Sequence, residues 1–203
     1  SYKRPLFDCS TLYAVSGTRD LGANRMAAGR EAGMKTICLH GPESTGKSTM
    51  ATLLAAHYDC EIVPEYGRAY CEEHGTDIDM HDLIVIAERQ QAMTRSARAR
   101  AGDWLILDTD PVMTAVWADM MLGHRDPSFD RYADVADIYL LLDIDLPWVD
   151  DGLRIYGEEA DRKRFFDLSK AELERRRVNW ALISGDGEPR FDAAIDAIEG
   201  MGR

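Results

Sequence analysis

Short apolar runs alternate with longer segments of mixed polarity along most of the chain, beginning near residue 34. The apolar runs are nearly unbroken, as in WLILD, and such runs are typical of strands that are buried on both faces of a parallel sheet. We therefore predict five strands, at residues 36–40, 60–63, 104–108, 137–143 and 180–184.

The segments between these strands carry apolar positions at helical spacing. Gly102 is typical of the residue that follows the C-terminus of a helix. Ser169 and Glu172 form a capping-box pattern, which predicts that a helix begins at Ser169. We predict helices at residues 48–57, 80–101, 169–178 and 189–199.

The alternation of strands and helices predicts an α/β fold, with a parallel sheet, right-handed βαβ units and helices on both faces. In such sheets ligands bind at the carboxyl ends of the strands, so functional residues are expected there. Residues 1–33 show weak periodicity and scattered Gly, Arg and Ala. We expect an irregular N-terminal extension at 1–33 and one domain at 34–203.

The stretch GPESTGKST, residues 41–49, matches the P-loop pattern G-x-x-x-x-G-K-S in full. Its glycines let successive backbone N–H groups point at phosphate, and the following helix adds its partial positive charge. We expect Lys47 to reach the β- and γ-phosphates of ATP in a catalytic role and Ser48 to bind Mg²⁺. The residues expected to bind the nucleotide are Gly41, Glu43, Ser44, Thr45, Gly46, Lys47, Ser48 and Thr49.

A phosphate loop is shared by GTPase switches, ATP-driven motors and small-molecule kinases. The sequence has no N-K-x-D guanine motif, and the third predicted strand ends in Asp-Thr-Asp without a neighbouring glutamate that would activate water. A length of 203 residues suits a small kinase better than a motor. We therefore expect a phosphotransferase, and two alternatives stay open: a stand-alone ATPase, and a module that senses ATP without turning it over.

Three candidate functional residues directly follow the second predicted strand, in the stretch VPEYGRAY. Glu65 is placed to accept the proton of an acceptor hydroxyl. Arg68 is suited to pair with phosphate or carboxylate, and Tyr66 to stack on a flat ring. The alternative is a helix N-terminal turn, where the helix dipole favours a glutamate.

Two aspartates end the third predicted strand. Asp108 is the natural Walker B acid, which reaches Mg²⁺ directly or through water. Asp110 is placed to contact a substrate hydroxyl, and its alternative is a turn residue before proline.

Arginines follow the fourth predicted strand, where small kinases place an arginine-bearing lid. We expect Arg154 to act in catalysis and Arg162 to contact the nucleotide. The run at residues 175–177 is more typical of a solvated helix face.

The composition narrows the classes of partner that we expect the protein to bind. The formal net charge is −12, which disfavours nucleic acid, since that binding relies on an extended basic surface. The sequence contains neither an apolar run of about 18 residues nor a signal-peptide core, so we expect no membrane span and a cytoplasmic location. The composition leaves the oligomeric state open.

With GPESTGKST, PEYGRAY, LDTD and PWVDDGLR in this order, the chain resembles the nicotinamide-riboside kinase domain of NadR-type NAD-biosynthesis proteins. The resemblance covers about residues 35–200, and PEYGR and WVDDGLR are its most discriminating stretches. The family phosphorylates the ribose 5′-hydroxyl of nicotinamide riboside with ATP and Mg²⁺, and it is similar to the thymidylate and deoxyribonucleoside kinases. The resemblance implies a P-loop kinase fold with strand order 2-3-1-4-5.

The resemblance also implies residue roles. Glu65 takes the place of the general base and Asp108 the place beside the metal, while WVDDGLR brings Asp151 to the substrate together with Arg154. Asp110 lies two residues from Asp108 and therefore close to the expected Mg²⁺, whose charge favours the ionised carboxylate. We expect Asp110 to keep a low pKa and to hold the acceptor's ribose hydroxyls rather than act as base.

The chain departs from the family pattern at one position. Relatives can carry a tryptophan before the EYGR stretch, available to stack on the pyridine ring, and Pro64 stands there in this sequence. We expect Tyr66, Trp117 or Trp148 to supply the ring instead, and we count Tyr66 and Trp148 among the substrate-binding residues.

Overall fold

The computed structural model describes residues 33–133, 135–149 and 156–201. The predicted N-terminal extension therefore lies almost wholly outside the described residues. The strands are β1 Lys35–His40, β2 Glu61–Val63, β3 Trp104–Leu107, β4 Ile138–Leu142 and β5 Trp180–Ile183. The helices are α1 Lys47–Tyr58, α2 Tyr66–His74, α3 Met80–Arg98, α4 Pro111–Leu122, α5 Glu159–Arg176 and α6 Gly187–Met201, with a short 3-10 helix at Pro127–Arg131.

The five strands form one parallel sheet in the order β2-β3-β1-β4-β5. The centre of the sheet is β1, where Ile37 pairs with Ile106 of β3 on one side and with Ile138 of β4 on the other. This confirms the predicted α/β class, strand number and strand order. It also brings the carboxyl ends of β1, β2, β3 and β4 to one edge of the sheet.

Apolar side chains pack on both faces of the sheet, as period-two alternation requires. On β1, Ile37 and Leu39 belong to the cluster that packs against α1 and α6, while Cys38 belongs to the cluster on the opposite face. Burying one large aliphatic side chain contributes about 1.5–3 kcal/mol, so these two clusters dominate the stability of the domain. No helix in the described ranges is long and apolar enough to cross a membrane.

Two helices were not predicted from the sequence. One is α4, in which eight of the twelve residues are buried, so it has no polar face to give a helical period. The other is α2, which contains Gly67 near its start and has no buried residue among those described. The amphipathic pattern that reveals a surface helix is missing from α4, and α2 is a helix of only nine residues.

Helix α5 begins at Glu159, ten residues before the predicted start. Ser169 and Glu172 are buried inside this helix, so the predicted capping box is wrong. Glu172 instead accepts hydrogen bonds from Arg175 and Arg176. The prediction of a solvated arginine face is wrong for Arg176, whose side chain is 9% exposed, but it holds for Arg175, which is 50% exposed.

Candidate active site

The phosphate loop joins β1 to α1, and two of its glycines are required by the backbone. Gly41 has φ 131°, and a Cβ added there would lie 2.8 Å from the carbonyl oxygen of Leu142. Gly46 has φ 80° and forms the N-cap of α1. Both conformations are ones that other residues rarely adopt, so the loop geometry depends on glycine at these positions.

The side chain of Lys47 folds back over this loop. Its Nζ donates hydrogen bonds to the carbonyl oxygens of Gly41, at 2.9 Å, and Pro42, at 2.7 Å. The ammonium charge is thereby held at the mouth of the loop, beside the N-terminus of α1. This combination of backbone N–H groups, helix dipole and lysine suits a polyphosphate.

Ser48 and Asp108 meet where α1 begins and β3 ends. The Ser48 hydroxyl donates to Oδ2 of Asp108 at 2.7 Å. Burial raises the pKa of Asp108, against the opposing effect of the Ser48 hydrogen bond and Lys47. Its second oxygen, Oδ1, is buried and has no hydrogen-bond partner among the described residues. A hydroxyl and a partly unsatisfied carboxylate fit Mg²⁺, which takes oxygen ligands.

Glu65 sits at the N-cap position of α2, at the end of β2, and its side chain lines the cleft above the phosphate loop. Within the described part of the chain its carboxylate makes no capping hydrogen bond to α2. Burial raises the pKa of Glu65, although Lys47 and Arg68 oppose the shift. A carboxylate with a raised pKa is a better proton acceptor near neutral pH.

The cleft extends from the phosphate loop across α2, α3 and α4 and has a volume of about 210 Å³, far more than a single water molecule needs. Its lining includes a set of apolar and aromatic side chains, Ile78, Leu83, Ile86, Met113, Trp117 and Met121. Polar or thiol groups come from Cys71, Thr76, Gln90, Thr109 and Thr114. Of these lining residues, only Trp117 is a substrate-binding candidate from the sequence. The sequence pattern did not predict α4, and it gave no reason to assign α3 a place in the site.

The structure brings most of the predicted site residues together. Around one cleft lie Glu43, Ser44, Thr45, Gly46, Lys47, Ser48, Thr49, Glu65 and Arg68. Gly41 contacts this group through its carbonyl oxygen, which accepts from Lys47.

Two predicted substrate-binding rings lie elsewhere. The ring of Tyr66 faces Tyr70 edge-on, at 6.2 Å between centroids. Trp148 packs on Gly157, whose added Cβ would lie 3.0 Å from the indole. Neither ring is among the described residues that line the cleft. Among the three candidate rings, Trp117 is the one that lines it.

Asp110, predicted to contact acceptor hydroxyls, lies at the start of α4 in the structure. Asp110 is 3% exposed and caps α4, accepting from the backbone N–H groups of Val112 and Met113 at 3.0 and 3.2 Å. His40 Nε2 lies 3.3 Å from the same carboxylate, and the Tyr139 hydroxyl donates to it. Burial alone would raise the pKa of Asp110, but these hydrogen bonds hold it below its usual value. The buried carboxylate has the structural role of the alternative, a residue in the turn before Pro111, and its burial argues against the predicted contact with acceptor hydroxyls.

Arg162 does not reach the cleft in the described structure. It is 9% exposed on α5, donates to the carbonyl oxygen of Leu146 at 2.9 Å and is not among the described residues that line the cleft, so its nucleotide contact stays a prediction. Arg154 and Asp151 lie outside the described residues, and their roles stay predictions. The chain on either side of them is held at the phosphate loop, since Val149 N–H donates to Ser44 Oγ at 3.0 Å and Tyr156 N–H to Glu43 at 3.4 Å.

A parallel sheet of this order, with a phosphate loop after its central strand, defines a nucleotide-binding P-loop domain of the kinase type. Comparison with known families agrees, because a family described as an AAA domain matches residues 36–190. The chain belongs to this AAA-domain family.

Known proteins also resemble the chain. The trifunctional NAD biosynthesis/regulator protein NadR of Escherichia coli (strain K12) is 30% identical over 175 residues, which cover 83% of this chain and 43% of the relative. A crystal structure of NadR protein in complex with NR has a TM-score of 0.70 at 25% identity, covering 84% of this chain and 52% of that one. The resemblance to NadR-type proteins that the motifs predict is confirmed, and the chain spans less than half the length of this curated relative.

A third likeness concerns the fold alone. Deoxyadenosine kinase from M. mycoides has a TM-score of 0.58 at 14% identity, covering 81% of this chain and 99% of the kinase. The P-loop kinase fold is therefore shared over nearly the whole length of a small kinase.

Proposed function

We propose that this domain transfers the γ-phosphoryl group of ATP to a hydroxyl of a nucleoside, and that nicotinamide riboside is the acceptor. The observation that carries the proposal is one cleft with two chemically different ends. A phosphate loop with Lys47 forms one end, an apolar and aromatic lining extends across α2, α3 and α4, and Glu65 lines the same cleft close enough to Lys47 for their charges to interact.

The phosphate loop supplies the donor half of the reaction. Backbone N–H groups and Lys47 hold the β- and γ-phosphates and stabilise the charge of a loose transition state. Ser48 and Asp108 would hold Mg²⁺, which neutralises charge on the phosphate oxygens when it is bound. Positioning and electrostatics account for most catalysis of phosphoryl transfer, and this part of the site provides both.

Glu65 supplies the acceptor half. A neutral hydroxyl must lose its proton as it attacks phosphorus, and a carboxylate in the same cleft as the phosphate loop is placed to accept it. Its raised pKa favours that role, and its freedom from capping α2 leaves the oxygens available.

The lining of the cleft favours a nucleoside over a nucleotide as acceptor. The described cations around it are Lys47 and Arg68, and Arg68 lies 3.8 Å from Glu72. Glu43 and Glu65 add negative charge on the same side. An acceptor that already carries a phosphate dianion would need more positive charge, whereas a hydroxyl needs a base.

The flat ring of the acceptor would stack on Trp117. This indole is fixed by Tyr156, which stacks on it at 5.9 Å between centroids, and by Phe165, whose ring is edge-on at 4.5 Å. A preorganised aromatic wall recognises a planar base at little entropic cost. Nicotinamide riboside is preferred among nucleosides because a NadR protein has been crystallised with NR.

The test is ADP release from ATP with nicotinamide riboside, with other nucleosides and with no acceptor. We expect nicotinamide riboside to raise turnover well above the rate in water and to be recovered as its 5′-phosphate by mass spectrometry. Equal rates with and without every acceptor would instead establish a stand-alone ATPase. Binding of ATP without any turnover would establish a sensing module.

A further inference from the structure

Gln90 of α3 holds the backbone on both sides of Glu65. Its side chain is buried, and its Oε1 accepts a hydrogen bond from the backbone N–H of Tyr66 at 2.8 Å. Its Nε2 donates to the carbonyl oxygen of Pro64 at 3.1 Å and to that of Thr109 at 3.3 Å. One amide therefore fixes the two peptide groups that flank Glu65 and ties them to the end of β3.

These contacts anchor the backbone around a glutamate that lines the cleft and, among the described residues, does not cap its own helix. A residue at the N-cap of a helix usually turns its side chain back to accept from the first backbone N–H groups. At α2 the N–H of Tyr66 is satisfied by Gln90, and Glu65 makes no side-chain cap bond in the described structure. Gln90 therefore holds the first N–H group of α2, next to the peptide of a glutamate that lines the cleft.

The third bond adds a link between the two catalytic regions. Thr109 directly follows Asp108, the residue that faces Ser48, and both Thr109 and Gln90 line the cleft. Gln90 thus connects the β2–α2 turn, which carries the acid–base group, with the β3–α4 turn, which carries the Mg²⁺-side aspartate. A shift of either turn moves Glu65 relative to the phosphate loop.

We propose that Gln90 is a positioning residue for Glu65, which rests on the proposed role of Glu65 as general base. The amide sets the direction of the carboxylate and its distance from the acceptor hydroxyl. Gln90 acts through Glu65, so its removal should reduce the rate of the chemical step. The affinity for ATP, which depends on the phosphate loop, should not change.

The test compares Gln90→Met, which keeps the length of the side chain and removes the three hydrogen bonds, with Glu65→Gln and with the double variant. We expect Gln90→Met to lower kcat about 10- to 100-fold, the range found when groups supporting a functional residue are removed, with KM for ATP unchanged. In the Glu65→Gln background the same change should lower kcat less than about threefold further, because residues that act as a unit are not additive.

Gln91 provides the matched control. It is the next residue on α3 and is also buried, but it is not among the described residues that line the cleft. Gln91→Met should leave kcat within about threefold of the parent protein. If Gln90→Met does not fold, Gln90→Glu replaces it, because this isosteric change keeps the acceptor for Tyr66 N–H and removes the amide donor to Pro64 and Thr109.

The outcomes separate the two proposals. Glu65→Gln lowering kcat while Gln90→Met leaves it unchanged would overturn the positioning role alone. So would losses that multiply in the double variant, since Gln90 would then act independently of Glu65. Absence of acceptor-dependent turnover in the parent protein would overturn the proposed function and this inference together.

Discussion

Replacing Glu172 by glutamine removes one buried charge from a cluster of arginines on α5. Glu172 is 2% exposed. It accepts two hydrogen bonds from Arg175, at 2.8 and 2.9 Å, and one from Arg176 at 2.6 Å, while Arg125 lies 2.8 Å from it. Arg125 also bonds Asp119 of α4, so the carboxylate joins the helix that carries the aromatic wall of the cleft to α5. Glutamine keeps the shape and removes the charge that binds these three guanidinium groups.

The size of the effect follows from the pKa of Glu172. Burial alone would raise that pKa, but Arg175, Arg176 and Arg125 outweigh burial and lower it from 4.5 to about 2. The pKa of Glu172 thus differs by about 2.5 units between the unfolded and folded protein. At 1.36 kcal/mol per unit, this difference contributes about 3 kcal/mol to the free energy of unfolding. Because the unfolded state binds this proton more readily, the stabilisation is present above about pH 4.5 and is lost as the pH falls toward 2.

The assay is urea unfolding of the parent protein and Glu172→Gln at several pH values from 7 to 3. At pH 7 we expect the variant to be less stable by about 3 kcal/mol, and the gap should narrow as the pH approaches 3. Glu174→Gln is the control, since Glu174 is 54% exposed and lies 4.0 Å from Lys170, so its pair contributes only about 0–1 kcal/mol. A gap below about 1 kcal/mol, or one that does not change with pH, would refute this account of the cluster.

Three further changes test the cleft. Gly41→Ala places a methyl group against the backbone of Leu142 and should abolish ATP binding in a calorimetric titration; retained affinity would mean that the loop tolerates a different geometry. Glu65→Gln should lower kcat by about 10²-fold, the lower end for a general base in a loose transition state, with KM for ATP unchanged; an unaltered kcat would exclude Glu65 as base. Trp117→Leu should raise KM for the nucleoside more than tenfold with the ATP KM unchanged, and an equal effect on both would place the ring outside the acceptor pocket.

The fold could be predicted because its signals are local and repeated. WLILD and the phosphate loop each carry their own pattern, and strand alternation with the NadR resemblance gives the sheet order. Two helices escaped prediction for opposite reasons. All sides of α4 are apolar or packed, so it shows no helical stripe, whereas α2 has only nine residues and contributes no buried described residue.

The site was only partly predictable, because a sequence does not show which way a side chain turns. Glu65 and Asp110 both follow strands and both precede helices, so their positions along the chain are equivalent. The difference lies in what satisfies each helix N-terminus. A glutamine 25 residues away along the chain takes one of these bonds at α2, whereas Asp110 caps α4 itself. Contacts of this kind depend on tertiary structure, and no spacing rule predicts them.

We expect the buried carboxylate of Asp110 to stabilise the fold rather than to contact the substrate. Asp110→Ala removes a helix cap, at a cost of about 0.5–2 kcal/mol, and leaves the buried Tyr139 hydroxyl and the His40 ring without their shared acceptor, at about 1–3 kcal/mol for each unpaired group. We therefore expect unfolding to become easier by at least about 2 kcal/mol. The KM for the acceptor should stay within about threefold in the folded protein. Asp110→Asn retains a capping oxygen and should cost less. A KM raised tenfold or more at unchanged unfolding free energy would show that Asp110 reaches the acceptor after all, and that its carboxylate leaves the α4 cap when substrate binds.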